Sequence, residues 1–122
     1  MLQTNDAQER LTAVETGLDD LESGRARAQV VRIAQAWADA DLATLMRYED
    51  WCACLQARSD RAAMARMLDE RNPGLADGIA ALHTTGRQVF AAVGSLHMIG
   101  PMGLPALLGR RGDVVERVDF TR

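Results

Sequence analysis

Residues 89–100 read Val-Phe-Ala-Ala-Val-Gly-Ser-Leu-His-Met-Ile-Gly. An apolar run stops at Gly94, and a histidine, His97, follows three residues later. Over residues 88–93 the apolar side chains fall on both alternating faces, Val89, Ala91 and Val93 on one and Phe90 and Ala92 on the other. A strand that is apolar on both faces is a central strand, usually parallel and covered by helices above and below. The segments that follow extend this reading. Leu104, Leu107 and Leu108 are the apolar set of a short helix over 104–111, and Gly112 stops it. Residues 113–120, DVVERVDF, form a second and more polar strand, nearer an edge. Strand, helix and strand in this order make a right-handed crossover. In open α/β sheets ligands bind at the carboxyl ends of strands, which puts residues 94–97 beside a crevice.

Working back toward the N-terminus, the period is helical. Leu11, Val14, Leu18 and Leu21 recur at spacings of three and four, and Ser23-Gly24 closes that helix. A second helix carries Val30, Ile33, Ala34 and Trp37. Asp41 is placed to cap a short helix bearing Leu42, Leu45 and Met46. Ser59 or Asp60 caps the next, with Ala63, Met64, Met67 and Leu68. Pro73 restarts the chain after Asn72, Leu75, Ile79 and Leu82 line another helix, and Gly86 ends it. The expected layout is an α-rich α/β chain: a helical lead-in over 1–25, a helical region over 26–86, and a β-α-β unit over 87–122. Two strands do not complete an α/β layer. The missing strands are therefore expected from another copy of the chain or from a missing N-terminal half of a larger domain.

Composition narrows the function classes. The chain has 122 residues, enough for one domain, and 48% of them are hydrophobic against 25% charged, the balance of a folded protein. A net charge of -3 argues against a nucleic-acid binder. All fourteen basic residues are arginine, which fits codon bias in a GC-rich genome better than a phosphate-binding design. No apolar stretch reaches the roughly 20 residues of a membrane span, and the polar start MLQTNDAQER has no signal-peptide core. Cys52 and Cys54 lack the further ligands of a zinc site. On a helix they would point to different faces and not bridge, so they read as small helical residues, with a redox or disulfide role as the alternative.

G-x-x-H alone is met more often in a hydrogen-bonded loop than at a functional site. More of the chain, however, fits one pattern. Residues 70–118 contain Glu70-Arg71-Asn72, then Val93-Gly94 with His97-Met98 and Gly100, then Leu104-Pro105 with Leu107-Leu108, then Gly112, Val115 and Val118. In this order they closely resemble the C-terminal part of the TraB/GumN family, which groups with Tiki-like and ChaN-like proteins. Upstream, Ala36-Trp37 and Asp41-Leu42 resemble the family's Trp-x-x-Gly-Asp-Leu segment, with Ala40 in the place of glycine. The resemblance spans about residues 26–120.

The resemblance implies a metal-dependent hydrolase acting on a peptide or another hydrolysable bond. His97 would be a divalent-metal ligand or a catalytic base, with Gly94 shaping the binding turn. Arg71 and Asn72 would face the site as a clamp and a hydrogen-bond donor. Glu70 would be the nearest carboxylate, or an exposed partner of Arg66. The family's first G-x-x-H motif has no counterpart before residue 26, so one imidazole is left where a catalytic metal takes about three protein ligands. The chain is expected to be inactive without that half. Full-length relatives are often exported or membrane-anchored. The alternatives are a haem- or iron-binding or assembly module, with His97 on iron, and a scaffold remnant. His83, at the far end of the expected strand, reads as a helix-dipole partner.

Overall fold

The computed structural model describes residues 7–55 and 57–119. It is helical, and among the described residues no strand, sheet or β-α-β unit is present. The chain divides into two compact units, one ending at Ala63 and the other beginning at Met64.

The first unit contains α1 (Ala7–Glu22), α2 (Arg25–Ala38), α3 (Leu42–Met46) and α4 (Tyr48–Trp51), then a 3-10 turn at Ala53–Leu55. The α1–α2 turn needs Gly24, whose φ is +76°. Asp41 caps α3 by accepting from the Thr44 backbone N–H at 3.0 Å. Hydrogen bonds from Thr44, side chain and then backbone, hold its carboxyl below the ordinary value. The core is Ala36, Leu45, Tyr48, Cys52 and Leu55. The stripe Leu11, Val14, Leu18 and Leu21 forms its helix but stays exposed.

Ala40 is the one non-glycine residue at positive φ among those described, at +53°. It stands where the family pattern has glycine. Its Cβ strains the left-handed conformation that lets the chain leave α2 and turn into the Asp41 cap. Ala40→Gly is therefore expected to stabilise the chain by about 1 kcal/mol, seen as a raised Tm with unchanged helix content.

α5 (Arg58–Met67) runs through the boundary between the units. Asp60 lies inside its first turn and reaches back to accept from the Ala57 N–H at 2.9 Å, which is the returning half of a capping box. The second unit continues with α6 (Asn72–His83), a 3-10 turn at Ser95–Met98, and α7 (Leu104–Arg110). α6 packs on α7 around Ala76, Leu104 and Leu107, with Leu75, Ile79, Val93, Met102 and Leu108 against them. Arg111, just past α7, donates to Asp77 on α6.

The strands expected over 88–93 and 113–120 are absent among the described residues. Residues 87–94 and 113–119 have no regular hydrogen-bonded structure, and residue 120 lies outside the described residues. A strand exists through its ladder, and these two segments do not pair. Phe90 is 93% exposed, whereas a central strand would bury it, and Val114 in the second segment is 89% exposed. Val93 alone of the first run packs on the α6–α7 core. Apolar alternation records what a segment can bury, and here most of it finds no partner.

The two cysteines follow the alternative reading and not that of unlinked helical residues, because they are joined in a disulfide. Cys52 is not helical: at φ −76° and ψ 112° it leaves α4 extended, which brings the two Cα atoms to 5.1 Å.

Candidate functional site

Asn72 opens α6 and is the most buried polar residue described, at 1% exposure. Its position follows from local rules. α5 ends at Met67, and the Asn72 N–H closes the turn on the Leu68 carbonyl at 2.9 Å. Pro73 next to it has no N–H to lose in the first helical turn. The Asn72 side chain is thereby pinned beside the segment that joins the second 3-10 turn to α7.

Both ends of its amide are used. Nδ2 donates to the Met102 carbonyl at 2.8 Å, and Oδ1 lies 2.6 Å from His97 Nδ1. These two bonds determine the state of the histidine. A backbone carbonyl can only accept, so the amide must turn its NH₂ to Met102 and its oxygen to the ring. The ring nitrogen facing that oxygen must then carry a proton. Neutral His97 is held as the Nδ1–H tautomer, and its lone pair is confined to Nε2. Any proton or metal exchange at this ring takes place at Nε2.

His97 sits on the 3-10 turn Ser95–Met98 rather than past the end of a strand, and its own N–H closes on the Gly94 carbonyl at 3.0 Å. The ring is half-buried. Gly94 is extended, with φ −63° and ψ 148°, so its backbone does not itself demand glycine. A Cβ there would lie 3.7 Å from His97 Cδ2, the ring carbon bonded to Nε2. A methyl group would fit, while a longer side chain would crowd that edge of the ring.

The strict glycine requirement comes after the histidine. Gly100 has φ +74°, and the Gly103 N–H closes the turn on its carbonyl at 3.1 Å. A Cβ on Gly103 would come within 2.5 Å of the Ile99 carbonyl oxygen. The Met102 carbonyl that accepts from Asn72 lies within this turn. The spacing Gly100-x-x-Gly103 is the signal of this turn in the sequence, whereas the two-ended use of Asn72 has none.

The other expected site residues are apart from this pair. Arg71 immediately precedes α6, and its carbonyl accepts from the Leu75 N–H. Its side chain is exposed and makes no hydrogen bond or ion pair among the described residues. Glu70 is exposed in the turn between α5 and α6 and pairs with neither Arg66 nor His97. His83 is the exposed last residue of α6. Among the described residues no three His, Cys, Asp or Glu converge to hold a metal ion. One imidazole nitrogen is on offer, so the residues present do not by themselves form a metal site. No described helix is long and apolar enough to cross a membrane.

No match is found among curated proteins or among solved structures. A model of the TraB/PrgY/gumN family, by contrast, matches residues 1–117, reaching well upstream of the segment that carries the His97 motif. With nearly its whole length matched, the chain belongs to the TraB/PrgY/gumN family.

Proposed function

We propose that this chain is the His97-bearing, C-terminal part of a metal-dependent hydrolase that cleaves a peptide or another hydrolysable bond. His97 Nε2 serves as the acceptor, either of a proton from the attacking water or of a metal ion. The observation that carries this reading is the brace from the Met102 carbonyl through Asn72 to His97 Nδ1. The brace fixes the neutral tautomer with Nε2 unprotonated, the state that a base or a ligand at Nε2 requires. Gly94 keeps the Cδ2–Nε2 edge uncrowded. Arg71, exposed one residue before Asn72, is free to approach an anionic group on the substrate. The further metal ligands come from residues beyond the His97 neighbourhood, in the N-terminal half of a full-length protein or in a second copy.

The test separates Nε2 from the rest of the ring. Asparagine places its NH₂ near the position of a histidine Nδ1, so His97→Asn keeps a donor for Asn72 Oδ1 and removes Nε2. In the full-length protein, His97→Asn is expected to retain the wild-type melting curve and to lose hydrolysis by about a thousandfold. His83→Ala should change neither. Hydrolysis within severalfold of wild type in His97→Asn would reject the role.

A further inference from the structure

The first unit holds a second cluster of reactive groups, independent of His97. Cys52 and Cys54 are disulfide-bonded with one residue between them. A structural disulfide gains its effect by closing a long loop in the unfolded chain, and that gain is near its minimum for so short a ring. The two sulfurs are also unequally placed. Cys52 is 1% exposed and belongs to the core, whereas Cys54 is half-buried.

Each sulfur has its own polar partner. The Tyr48 hydroxyl lies 3.1 Å from Cys54 Sγ. Burial pushes the Tyr48 phenol above its ordinary value, so it remains protonated and donates to the sulfur. Trp51 fixes that phenol by an edge-to-face contact at 5.1 Å, and is itself held by the Arg32 guanidinium, 4.3 Å above its ring, and by a bond from Nε1 to the Thr44 carbonyl. On the other side, Gln29 Oε1 lies 3.1 Å from Cys52 Sγ. A disulfide sulfur has no proton to give to that oxygen, whereas a thiol has. The Gln29 Nε2 is buried with no partner among the described residues, so the amide is poorly served while the bond is closed. Opening the bond gives Oε1 its donor.

We propose that Cys52 and Cys54 form a thiol–disulfide exchange site for a low-molecular-weight thiol and its disulfide, with Cys54 as the sulfur that meets the external partner and Cys52 as the resolving one. A slim partner suits the single, half-buried sulfur on offer. In the oxidising direction, the Cys54 thiol loses its proton to solvent and the thiolate attacks one sulfur of the external disulfide. That disulfide bond breaks, and the first thiolate leaves and is protonated. The Cys52 thiol then loses its proton and attacks Cys54 Sγ. The mixed disulfide breaks and the second thiolate leaves, also to be protonated. The protein dithiol is oxidised by two electrons, and one external disulfide becomes two thiols. In reverse, an external thiolate attacks Cys54 and Cys52 departs, to be protonated and to donate to Gln29 Oε1; a second external thiolate then attacks the external sulfur of the mixed disulfide, and Cys54 leaves as its thiolate. The Tyr48 hydroxyl stabilises the thiolate at Cys54.

The test uses reduced chain and oxidised glutathione, followed by mass spectrometry. Wild type should close to the internal disulfide without accumulating a glutathione adduct. Cys52→Ser should stop at the mixed disulfide on Cys54. Cys54→Ser should react about tenfold or more slowly, because the remaining sulfur is buried. Circular dichroism checks that both variants fold. Pulse alkylation of reduced wild type, which needs no variant, should label Cys54 first. Gln29→Leu should shift the equilibrium with glutathione about fivefold toward the disulfide, since the reduced state loses its acceptor. Preferential labelling of Cys52, a wild-type adduct that never resolves, or an internal disulfide that survives excess reduced glutathione would overturn the proposal.

Discussion

Gly103→Ala is expected to destabilise the second unit by about 3 kcal/mol, the upper end of what overpacking costs. The cause is a clash between backbone atoms and a rigid methyl, not with the end of a flexible side chain. The added Cβ would lie 2.5 Å from the Ile99 carbonyl oxygen, 2.8 Å from its carbon and 2.9 Å from its nitrogen. No rotamer change relieves such contacts. The chain would have to open the turn that Gly103 closes on Gly100. Opening it moves the start of α7, and Leu104, 3% exposed, is the first residue of that helix. It also draws the Met102 carbonyl away from Asn72. Urea denaturation should show a lowered midpoint. Gly94→Ala is the control: its Cβ makes only an ordinary contact at 3.7 Å, so it should leave the midpoint close to wild type. Equal destabilisation by the two substitutions would refute the assignment of the glycine requirement to position 103.

That contrast shows where the sequence was legible. Helices announced by a period and a boundary residue were readable: Gly24, Asp41, Pro73 and Gly112 each act through a local rule that needs no knowledge of the remaining chain. The paired strands were not, because pairing is non-local. Residues 88–93 have the composition of a buried strand, but composition does not supply a neighbour, and Phe90 is left in solvent. For a related reason, the disulfide stands in the sequence only as the alternative. Helical geometry forbids a bridge at a spacing of two, and the helix ends at Trp51, one residue before the first cysteine. At the candidate site, His97 and Asn72 were singled out from the motif and the structure brings them together. Arg71, their neighbour in the same motif, is turned to solvent, because adjacent residues entering a helix face different sides. No pattern in the sequence revealed that Asn72 reaches Met102, a contact across 30 residues.

Asn72 therefore has two roles, and substitution should separate them. Asn72→Leu removes the donor to Met102 and the acceptor for His97 while keeping comparable volume. It leaves a buried carbonyl and a ring N–H without partners, and a loss of about 2–4 kcal/mol is expected. It also releases the imidazole to choose its own tautomer. Asn72→Asp keeps an oxygen facing His97 Nδ1 but puts a second oxygen against the Met102 carbonyl, where a donor had been. It should lose comparable stability and yet preserve the tautomer. Nitrogen-15 chemical shifts of the His97 ring, recorded where the ring is neutral, distinguish these cases directly. Wild type and Asn72→Asp should show a protonated Nδ1 and a bare Nε2, and Asn72→Leu a mixture in which the Nε2–H form appears. Hydrolysis in the full-length protein should follow the tautomer and not the melting temperature, so Asn72→Asp should retain more activity than Asn72→Leu at equal stability. A wild-type ring protonated at Nε2 would contradict the amide orientation that the Met102 carbonyl imposes, and with it the reading of His97 as a poised acceptor.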